Sequence, residues 1–338
     1  MRLLIVTQKI DRNDPILGFF HRWAEEFAKH CESVVVICLQ EGEYHFPENV
    51  HVLSLGKEEG GFRILKIIRY IVRFYIYIFR ERKNYDAVFV HMNQEYVLLG
   101  GLFWKMLGKK ITMWRNHAKG SILTRMAVMM SHRVFCTSPQ SYTAQFNKTK
   151  IMPVGIDTEF FKPDPSVRKK PNSILFLGRI APVKNVDVFV ESLNELQSQG
   201  IEFSVTMAGA ALPQDSEYKR KVRARVAEYR LGDKVKFVGA VTQGKALRLY
   251  KEHELYVNLT PSGSMDKTIF EAMACGSTVV SSNKDILEAI GDNEIKKDSG
   301  ATVSTRIKAA LEHHTDHREY VVKMHSLGKT VKKILESI

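Results

Sequence analysis

The chain alternates short apolar runs rich in Val, Ile and Leu with longer segments of helical period, in two successive blocks. In the first block the predicted strands cover residues 3–7, 33–39, 51–55, 87–91, 110–114, 133–137 and 150–152. In the second they cover residues 173–177, 202–208, 235–238, 255–259 and 278–281. This alternation is typical of buried parallel sheets covered by helices. The sequence therefore predicts an α/β protein with two doubly wound domains.

A segment dense in proline, glycine and charge separates the two blocks. It predicts a linker over residues 156–171, after a first domain at 1–155 and before a second domain at 172–317. The chain has 338 residues, enough for two cores of roughly 150 residues each. Ligands of such domains bind at the carboxyl ends of the strands, where helices begin.

Net charge narrows the class of partner. Fifty Lys and Arg side chains against 37 Asp and Glu give +13, and residues 1–155 alone contribute +9. This excess favours a nucleic acid, an acidic membrane surface or a phosphorylated substrate. No nucleic-acid-binding module is recognisable, which disfavours the first of the three.

Other patterns exclude further classes of protein. The cysteines have neither CxxC nor zinc-site spacing, which predicts reduced thiols in the cytoplasm. The N-terminus lacks the apolar core of a signal peptide, and no uncharged apolar run reaches roughly 18 residues, so no membrane span is predicted. No GxGxxG follows the first strand of either block, which disfavours a dinucleotide-dependent dehydrogenase.

Two loops of the second block predict an anion site. Gly178 and Arg179 follow the strand at 173–177, and Lys184 comes five residues later. A close backbone approach and two cations suit a diphosphate, although an ordinary loop with solvated cations is the alternative. The strand at 255–259 leads through a small polar turn into a helix, whose free amide groups favour the same anion.

Glu271 lies in the first turns of that helix. A carboxylate at this place can accept hydrogen bonds from the two hydroxyls of a ribose, as in dinucleotide sites. The alternatives are a solvated helical glutamate or a capping box with Thr268, since Thr-x-x-Glu spans residues 268–271.

Together these motifs resemble the donor half of retaining glycosyltransferases of family four, which have the GT-B fold. The resemblance lies in Gly-Arg-x4-Lys at 178–184, in Phe-Glu-Ala-Met-Ala-Cys-Gly-Ser-Thr-Val-Val at 270–280 and in the linker-like segment 154–163. It implies two Rossmann-like domains that face each other across a cleft, with a C-terminal helix over 318–338 crossing back to the first. It also implies catalysis without a bound metal or other cofactor.

The resemblance also implies a role for each donor-site residue. Arg179 and Lys184 would hold the diphosphate, and Glu271 would bind the ribose. The intervening turn would contact phosphate and sugar through Gly263, Ser264, Asp266, Lys267 and Thr268. Gly263 stands where the family has the first glutamate of a Glu-x7-Glu pair, so Asp266 or Lys267 is expected to take over part of the sugar contact.

In the first domain the resemblance points to residues that follow strands. Gly18 is expected close to the transferred sugar, with Trp23 packed in the core. His117, after the strand at 110–114, is expected in the catalytic set with Arg179 and Lys184, orienting groups or handling a proton. His91 and Asn93 are expected on the acceptor side. A structural role is the alternative for both histidines.

A basic stripe occupies residues 62–83, with seven basic side chains and one acidic. Arg63, Lys66, Arg69 and Arg73 recur at helical spacing and fall on one face. Such a helix suits the surface of an anionic membrane. The alternative is a helix whose apolar side is core and whose cations are solvated.

The resemblance implies that the protein is a retaining hexosyl or N-acetylhexosaminyl transferase. Its donor would be a UDP- or GDP-sugar, and its acceptor a glycan or lipid-linked saccharide, as in the assembly of bacterial surface polysaccharides. It is expected in the cytoplasm, on the inner face of the membrane. The alternatives are a nucleotide-sugar-binding protein without transfer activity and, less favoured, a nucleic-acid-binding protein.

Overall fold

The computed structural model describes residues 1–263, 265–291, 295 and 299–338, which form two compact units. The first unit comprises residues 1–155 and 327–338, and the second comprises residues 156–326. All twelve predicted strands are present, and both units contain a parallel sheet covered by helices. The prediction of two doubly wound α/β units is confirmed.

The first unit has a seven-stranded sheet. Its strands are β1 (Arg2–Ile10), β2 (Ser33–Glu41), β3 (Val50–Ser54), β4 (Ala87–His91), β5 (Lys110–Trp114), β6 (Arg133–Cys136) and β7 (Thr149–Ile151). The helices between them are α1 (Phe19–His30), α2 (Arg63–Arg80), α3 (Gln94–Met106) and α4 (Ile122–Met130). The strand order β3-β2-β1-β4-β5-β6-β7 reverses direction between β1 and β4. Loops that follow these two strands therefore meet at the carboxyl edge of the sheet.

The second unit has a five-stranded sheet. Its strands are β8 (Lys170–Leu177), β9 (Ser204–Ala208), β10 (Val235–Gly239), β11 (His253–Asn258) and β12 (Thr278–Ser281). Its helices are α5 (Val186–Ser198), α6 (Ser216–Glu228), α7 (Gln243–Glu252), α8 (Lys267–Ala274), α9 (Leu287–Ile290), α10 (Gly300–Glu312) and α11 (Arg318–Met324). The order β10-β9-β8-β11-β12 reverses between β8 and β11, which places their following loops side by side.

The C-terminal segment differs from the single helix expected over 318–338. Helix α11 belongs to the second unit, where Arg318 donates to the carbonyl oxygens of Thr158 and Phe161. The final helix α12 (Leu327–Leu335) belongs to the first unit, and its Val331 and Ile334 share a core with Trp23 and Phe27 of α1. The break follows because residues 325 and 326 hydrogen-bond and bridge to Ile156 instead of continuing the helix.

The predicted linker is also part of the second unit, because residues 156–171 pack there and β8 begins within them at Lys170. Helices α2, α3 and α4 cover one side of the first sheet, and α1 and α12 cover the other. Within the described ranges, no helix is both long and apolar enough to cross a bilayer.

Candidate functional site

The loops that follow β8 and β11 build the site of the second unit. Strand β11 pairs directly with β8, so the segment 178–184 lies beside the turn that leads into α8. The Gly178 amide donates to the Ala208 carbonyl oxygen at 3.0 Å. A side chain on Gly209, whose φ is +141°, would place its Cβ 1.8 Å from the Gly178 carbonyl oxygen. Glycine at 209 thus lets the backbone after β9 support the loop of Arg179.

Lys184 and Asp266 meet at the centre of this site. The Lys184 ammonium forms an ion pair with Asp266 and donates to Thr260 Oγ1 at 3.0 Å. Only 14% and 19% of the two charged side chains are exposed. Burial raises the pKa of Asp266, but the charge of Lys184 and hydrogen bonds from Lys184, Asn258 and Thr268 lower it by more. Asp266 is therefore ionised at neutral pH.

A buried polar chain fixes Asp266 and the start of α8. Asn258, the last residue of β11, donates to Asp266 Oδ2 at 3.2 Å and to Tyr256 Oη at 3.1 Å. Tyr256 in turn donates to Thr268 Oγ1 at 2.7 Å. Helix α8 begins at Lys267, so Thr268 lies inside the first turn, and the alternative of a capping box over 268–271 is wrong.

Glu271 is 7% exposed and accepts a hydrogen bond from Tyr250 Oη at 3.1 Å. The alternative of a solvated helical glutamate is therefore wrong. Its neighbour Lys267 is half-buried, and burial lowers the pKa of that ammonium to about 7, although the Glu271 charge acts in the opposite direction. The N-terminal turn of α8 thus combines a fixed carboxylate with an amine that titrates near neutrality.

Gly263 has a conformational reason to be glycine. Its φ is +108°, a region that side chains disfavour, and its amide donates to Asp285 Oδ2 at 2.8 Å. Ser262 Oγ also accepts from the Lys284 amide at 2.9 Å. The turn before α8 is therefore tied to the segment after β12, and Ser264 lies outside the described residues.

Arg179 is exposed at the end of β8. Its guanidinium forms no ion pair or hydrogen bond with any residue that the structure describes. Lys184 meets Asp266 at the start of α8, whose first turns carry Lys267, Thr268 and Glu271. Arg179 lies in the same loop as Lys184. The supporting residues Tyr250, Tyr256, Asn258 and Thr260 were not predicted, and only the position of Asn258 at a strand end gave a signal.

In the first unit, Gly18 precedes α1, where a Cβ would lie 2.5 Å from the Asp14 carbonyl oxygen. Tight packing thus requires glycine at this position. His91 is 3% exposed, stacks on Phe20 at a centroid distance of 4.1 Å, and has Nδ1 at 3.3 Å from Thr7 Oγ1. This placement favours the structural alternative for His91.

Trp23 is buried in the core, as predicted, and donates to the Gly155 carbonyl oxygen at 3.0 Å. Asn93, immediately before α3, donates to Gln8 Oε1 at 2.7 Å. His117 is exposed in the loop after β5, and its Nδ1 lies 3.0 Å from the Lys119 amide nitrogen. Asn93 and His117 therefore lie at the carboxyl edge of the first sheet.

The basic stripe differs from the expected row of equivalent cations. Arg69 donates to the Gly56 and Gly60 carbonyl oxygens at 2.7 and 2.9 Å, and both Arg69 and Arg73 form ion pairs with Glu59. Arg63 is exposed and Lys66 is half-buried. Arg69 and Arg73 therefore bind the segment before α2. The sequence pattern did not indicate these contacts.

Comparison with known proteins shows what the second unit is similar to. Residues 157–323 match the sequence profile of the family described as "Glycosyl transferases group 1". A D-inositol 3-phosphate glycosyltransferase of Acidothermus cellulolyticus is 25% identical over 151 residues, 41% of this chain and 34% of that protein. The lipopolysaccharide core biosynthesis mannosyltransferase LpcC of Rhizobium leguminosarum is 30% identical over 106 residues, 31% of this chain and 30% of that protein. The chain thus matches about a third of the length of either relative.

Solved structures resemble the whole chain. Anabaena Alr3699/HepE in complex with UDP and glucose superposes with a TM-score of 0.78 at 16% identity, covering 100% of this chain and 99% of that one. Sucrose-phosphate synthase from Thermosynechococcus elongatus gives 0.78 at 15% identity, covering 99% and 98%. The GT-B fold, with its two Rossmann-like domains, is confirmed.

Proposed function

We propose that this protein transfers a sugar from a nucleotide-diphosphate sugar to an acceptor hydroxyl, because residues 157–323 match the sequence profile of the group 1 glycosyl transferase family. The observation that carries the proposal is that the loop with Arg179 and Lys184 lies beside the start of α8, the helix that holds Glu271. The exposed guanidinium of Arg179 and the largely buried ammonium of Lys184 suit the diphosphate of a nucleotide. The buried carboxylate of Glu271 suits its ribose.

Catalysis in this proposal is mainly electrostatic. The bond from the sugar to the diphosphate breaks as negative charge grows on the departing phosphate oxygens. Arg179, Lys184 and the free amides of α8 stabilise that charge, each charged contact contributing up to a few kcal/mol in a site shielded from water. Gly263, Asp266, Lys267 and Thr268 line the same turn. No bound metal has a role in this proposal.

Glu271 selects the nucleoside part of the donor. Its carboxylate is held by Tyr250, which leaves acceptor capacity for the two ribose hydroxyls. Both UDP- and GDP-sugars fit this role, because ribose is common to them. The named complexes of Alr3699/HepE with UDP and UDP-glucose support a uridine donor as the first to test.

We further propose that transfer of a hexosyl or N-acetylhexosaminyl group retains the anomeric configuration. A donor phosphate oxygen takes the proton of the acceptor hydroxyl. Gly18 and His117 approach the sugar, with Asn93 on the acceptor side. The acceptor is a glycan or lipid-linked saccharide, consistent with a relative named for lipopolysaccharide core biosynthesis. The protein acts in the cytoplasm at an anionic membrane surface.

Release of nucleoside diphosphate tests the proposal. The chain is incubated with UDP-glucose, UDP-N-acetylglucosamine or GDP-mannose, with and without bacterial lipid extract as the source of acceptor. Acceptor-dependent release is expected for one donor, lost in Arg179→Ala and retained in Arg220→Ala, a matched change at an exposed arginine of α6. Donor binding without release under any of these conditions would instead support a binding protein, the alternative that Gly263 suggests.

A further inference from the structure

Helix α2 exposes most of its apolar side chains. Only Phe74 and Ile78 of this helix are buried. Ten apolar residues at or beside it are 38% to 83% exposed, namely Phe62, Ile64, Leu65, Ile67, Ile68, Ile71, Val72, Tyr75, Ile76 and Phe79. At about 100° per residue, the eight of these at 64, 65, 68, 71, 72, 75, 76 and 79 occupy one arc of about 140°. The apolar side of this helix is therefore only partly core.

The exposed apolar surface continues onto the two neighbouring helices. Tyr75 of α2 donates to the Leu99 carbonyl oxygen of α3 at 3.0 Å, and Gly101 of α3 packs against Met130 at the end of α4. Helix α3 and the residue after it expose Leu102, Met106 and Leu107, and α4 exposes Ile122, Leu123, Met126 and Met129. We call the exposed apolar residues of these three helices the apolar helical face. Contiguous apolar surfaces of this kind mark interaction sites.

Charge around the apolar helical face indicates the partner. Residues 63–130 hold 13 basic and three acidic side chains, so +10 of the net +13 lies in this stretch. Arg63, Arg80, Lys105 and Arg125 are exposed on the same helices. A second copy of the chain would bring two strongly cationic surfaces together, which disfavours self-association. An anionic bilayer suits both the exposed apolar side chains, which it buries, and the surrounding cations, which it attracts.

We infer that the apolar helical face docks the first unit on an anionic bilayer. Aliphatic side chains of α2, α3 and α4 enter the interface, and the exposed cations contact lipid headgroups. Ile122 and Leu123 lie in the first turn of α4, five and six residues after His117, so the docked surface reaches the carboxyl edge of the sheet. The inference rests on the proposed function only in linking this surface to a lipid-linked acceptor. The apolar helical face takes the place of the basic stripe as the proposed membrane contact, because Arg69 and Arg73 form ion pairs with Glu59.

Vesicle flotation of the full chain tests this inference. One arm uses phosphatidylglycerol vesicles and the other phosphatidylcholine vesicles. The variant combines Leu65→Ser, Ile68→Ser, Val72→Ser and Ile76→Ser, which leave the net charge unchanged. The control combines Ile151→Ser and Val322→Ser, at exposed apolar residues outside the apolar helical face. Circular dichroism and thermal melting verify that all proteins are folded.

The expected result is binding to phosphatidylglycerol vesicles, weaker binding to phosphatidylcholine, and a loss of more than about tenfold in the variant but not in the control. Equal flotation of variant and wild type would overturn the inference. The inference would also be overturned if the wild type floated with neither kind of vesicle. The same holds if the wild type formed a dimer that was lost in the variant and kept in the control. Vesicle binding needs no donor, and donor binding needs no vesicle, so failure of this inference is distinguishable from failure of the proposed function.

Discussion

The Lys184 ammonium forms an ion pair with the Asp266 carboxylate, although the two residues lie 82 positions apart in the chain. The loop after β8 supplies the cation, and the turn after β11 supplies the anion. An incoming diphosphate therefore competes with Asp266 for Lys184, while Arg179 has no such competitor among the described side chains. The two cations of the predicted motif are thus not equivalent.

Asp266→Asn removes this competitor. We expect UDP to bind a few-fold more tightly, because the charge that opposes the diphosphate is gone. The free energy of unfolding should fall by about 1 kcal/mol, because a largely buried ion pair loses one partner. Calorimetric titration and urea denaturation measure the two effects. Asp187→Asn, at a carboxylate that accepts from Tyr218, is the control. Weaker UDP binding in Asp266→Asn would contradict the competition.

Lys267 should make donor binding depend on pH. Burial lowers its pKa to about 7 in the folded protein, against 10.5 for an unperturbed lysine. The folded protein loses this proton first, so the unfolded state holds more protons between these values and stability rises with pH there. Affinity for UDP-glucose, whose diphosphate keeps a constant charge over this range, should fall as pH rises through 7, because the amine loses its charge. Titrations of UDP-glucose at about pH 6 and about pH 8 should differ for the wild type and agree for Lys267→Met. A wild type with equal UDP-glucose affinity at both pH values would contradict this role.

Glu271→Gln tests ribose recognition. The amide oxygen still accepts from Tyr250, but it is a weaker acceptor for the ribose hydroxyls, so UDP affinity should fall about tenfold with stability nearly unchanged. Tyr250→Phe is the matched change in the supporting residue. It should cost about 1 kcal/mol of unfolding free energy with a smaller effect on UDP. Calorimetry and thermal denaturation check both, and undiminished UDP binding in Glu271→Gln would exclude the assignment.

Gly263→Glu restores the family's first glutamate at a backbone φ of +108°. We expect the free energy of unfolding to fall by about 1–2 kcal/mol, with no gain in turnover, because the backbone excludes an unstrained side chain there. Gly263→Ala should lose a similar amount of unfolding free energy. This control separates the effect of backbone strain from the effect of the added carboxylate. A Gly263→Glu variant with normal stability and faster turnover would show that the turn accommodates the family's pair.

His91 and His117 of the first unit should differ in the measurement that their substitution affects. His117 is exposed, so His117→Ala should lower kcat by about tenfold or more, with UDP affinity and melting temperature unchanged. His91 stacks on Phe20 in the core, so His91→Ala should instead lower the free energy of unfolding by about 2–3 kcal/mol. Comparable kcat and melting temperature in His117→Ala and the wild type would remove His117 from the catalytic set.

Strand periodicity was sufficient to predict both sheets, and it correctly placed Arg179 and Lys184 in the loop after β8 and Glu271 on the helix after β11. The Lys184–Asp266 pair was not predictable, because it depends on the distance between two loops that only the folded sheet brings together. The start of α8 was predicted to within one residue, but the partners of Thr268 and Glu271 were not. Thr-x-x-Glu has the spacing of a capping box, the alternative for Glu271, but Tyr256 binds the Thr268 hydroxyl and Tyr250 binds Glu271.

Helix α2 shows a second limit of sequence patterns. Its periodicity correctly predicted an amphipathic helix, but a pattern does not reveal how much of an apolar side faces the core. Only Phe74 and Ile78 of α2 are buried, whereas Ile68 and Val72 of the same helix are exposed. Likewise, the amphipathic C-terminal segment gave no sign that residues 325 and 326 divide it between the two units.

Calorimetric titration of UDP-glucose and GDP-mannose into the wild type, Arg179→Ala and Arg220→Ala tests whether Arg179 binds the donor diphosphate. Saturable binding of one donor is expected for the wild type and for Arg220→Ala. Arg179→Ala should lose about tenfold or more in affinity, because one charged contact to the diphosphate is removed. Equal donor affinity in the Arg179→Ala variant and the wild type would contradict the assignment of the diphosphate to the loop after β8.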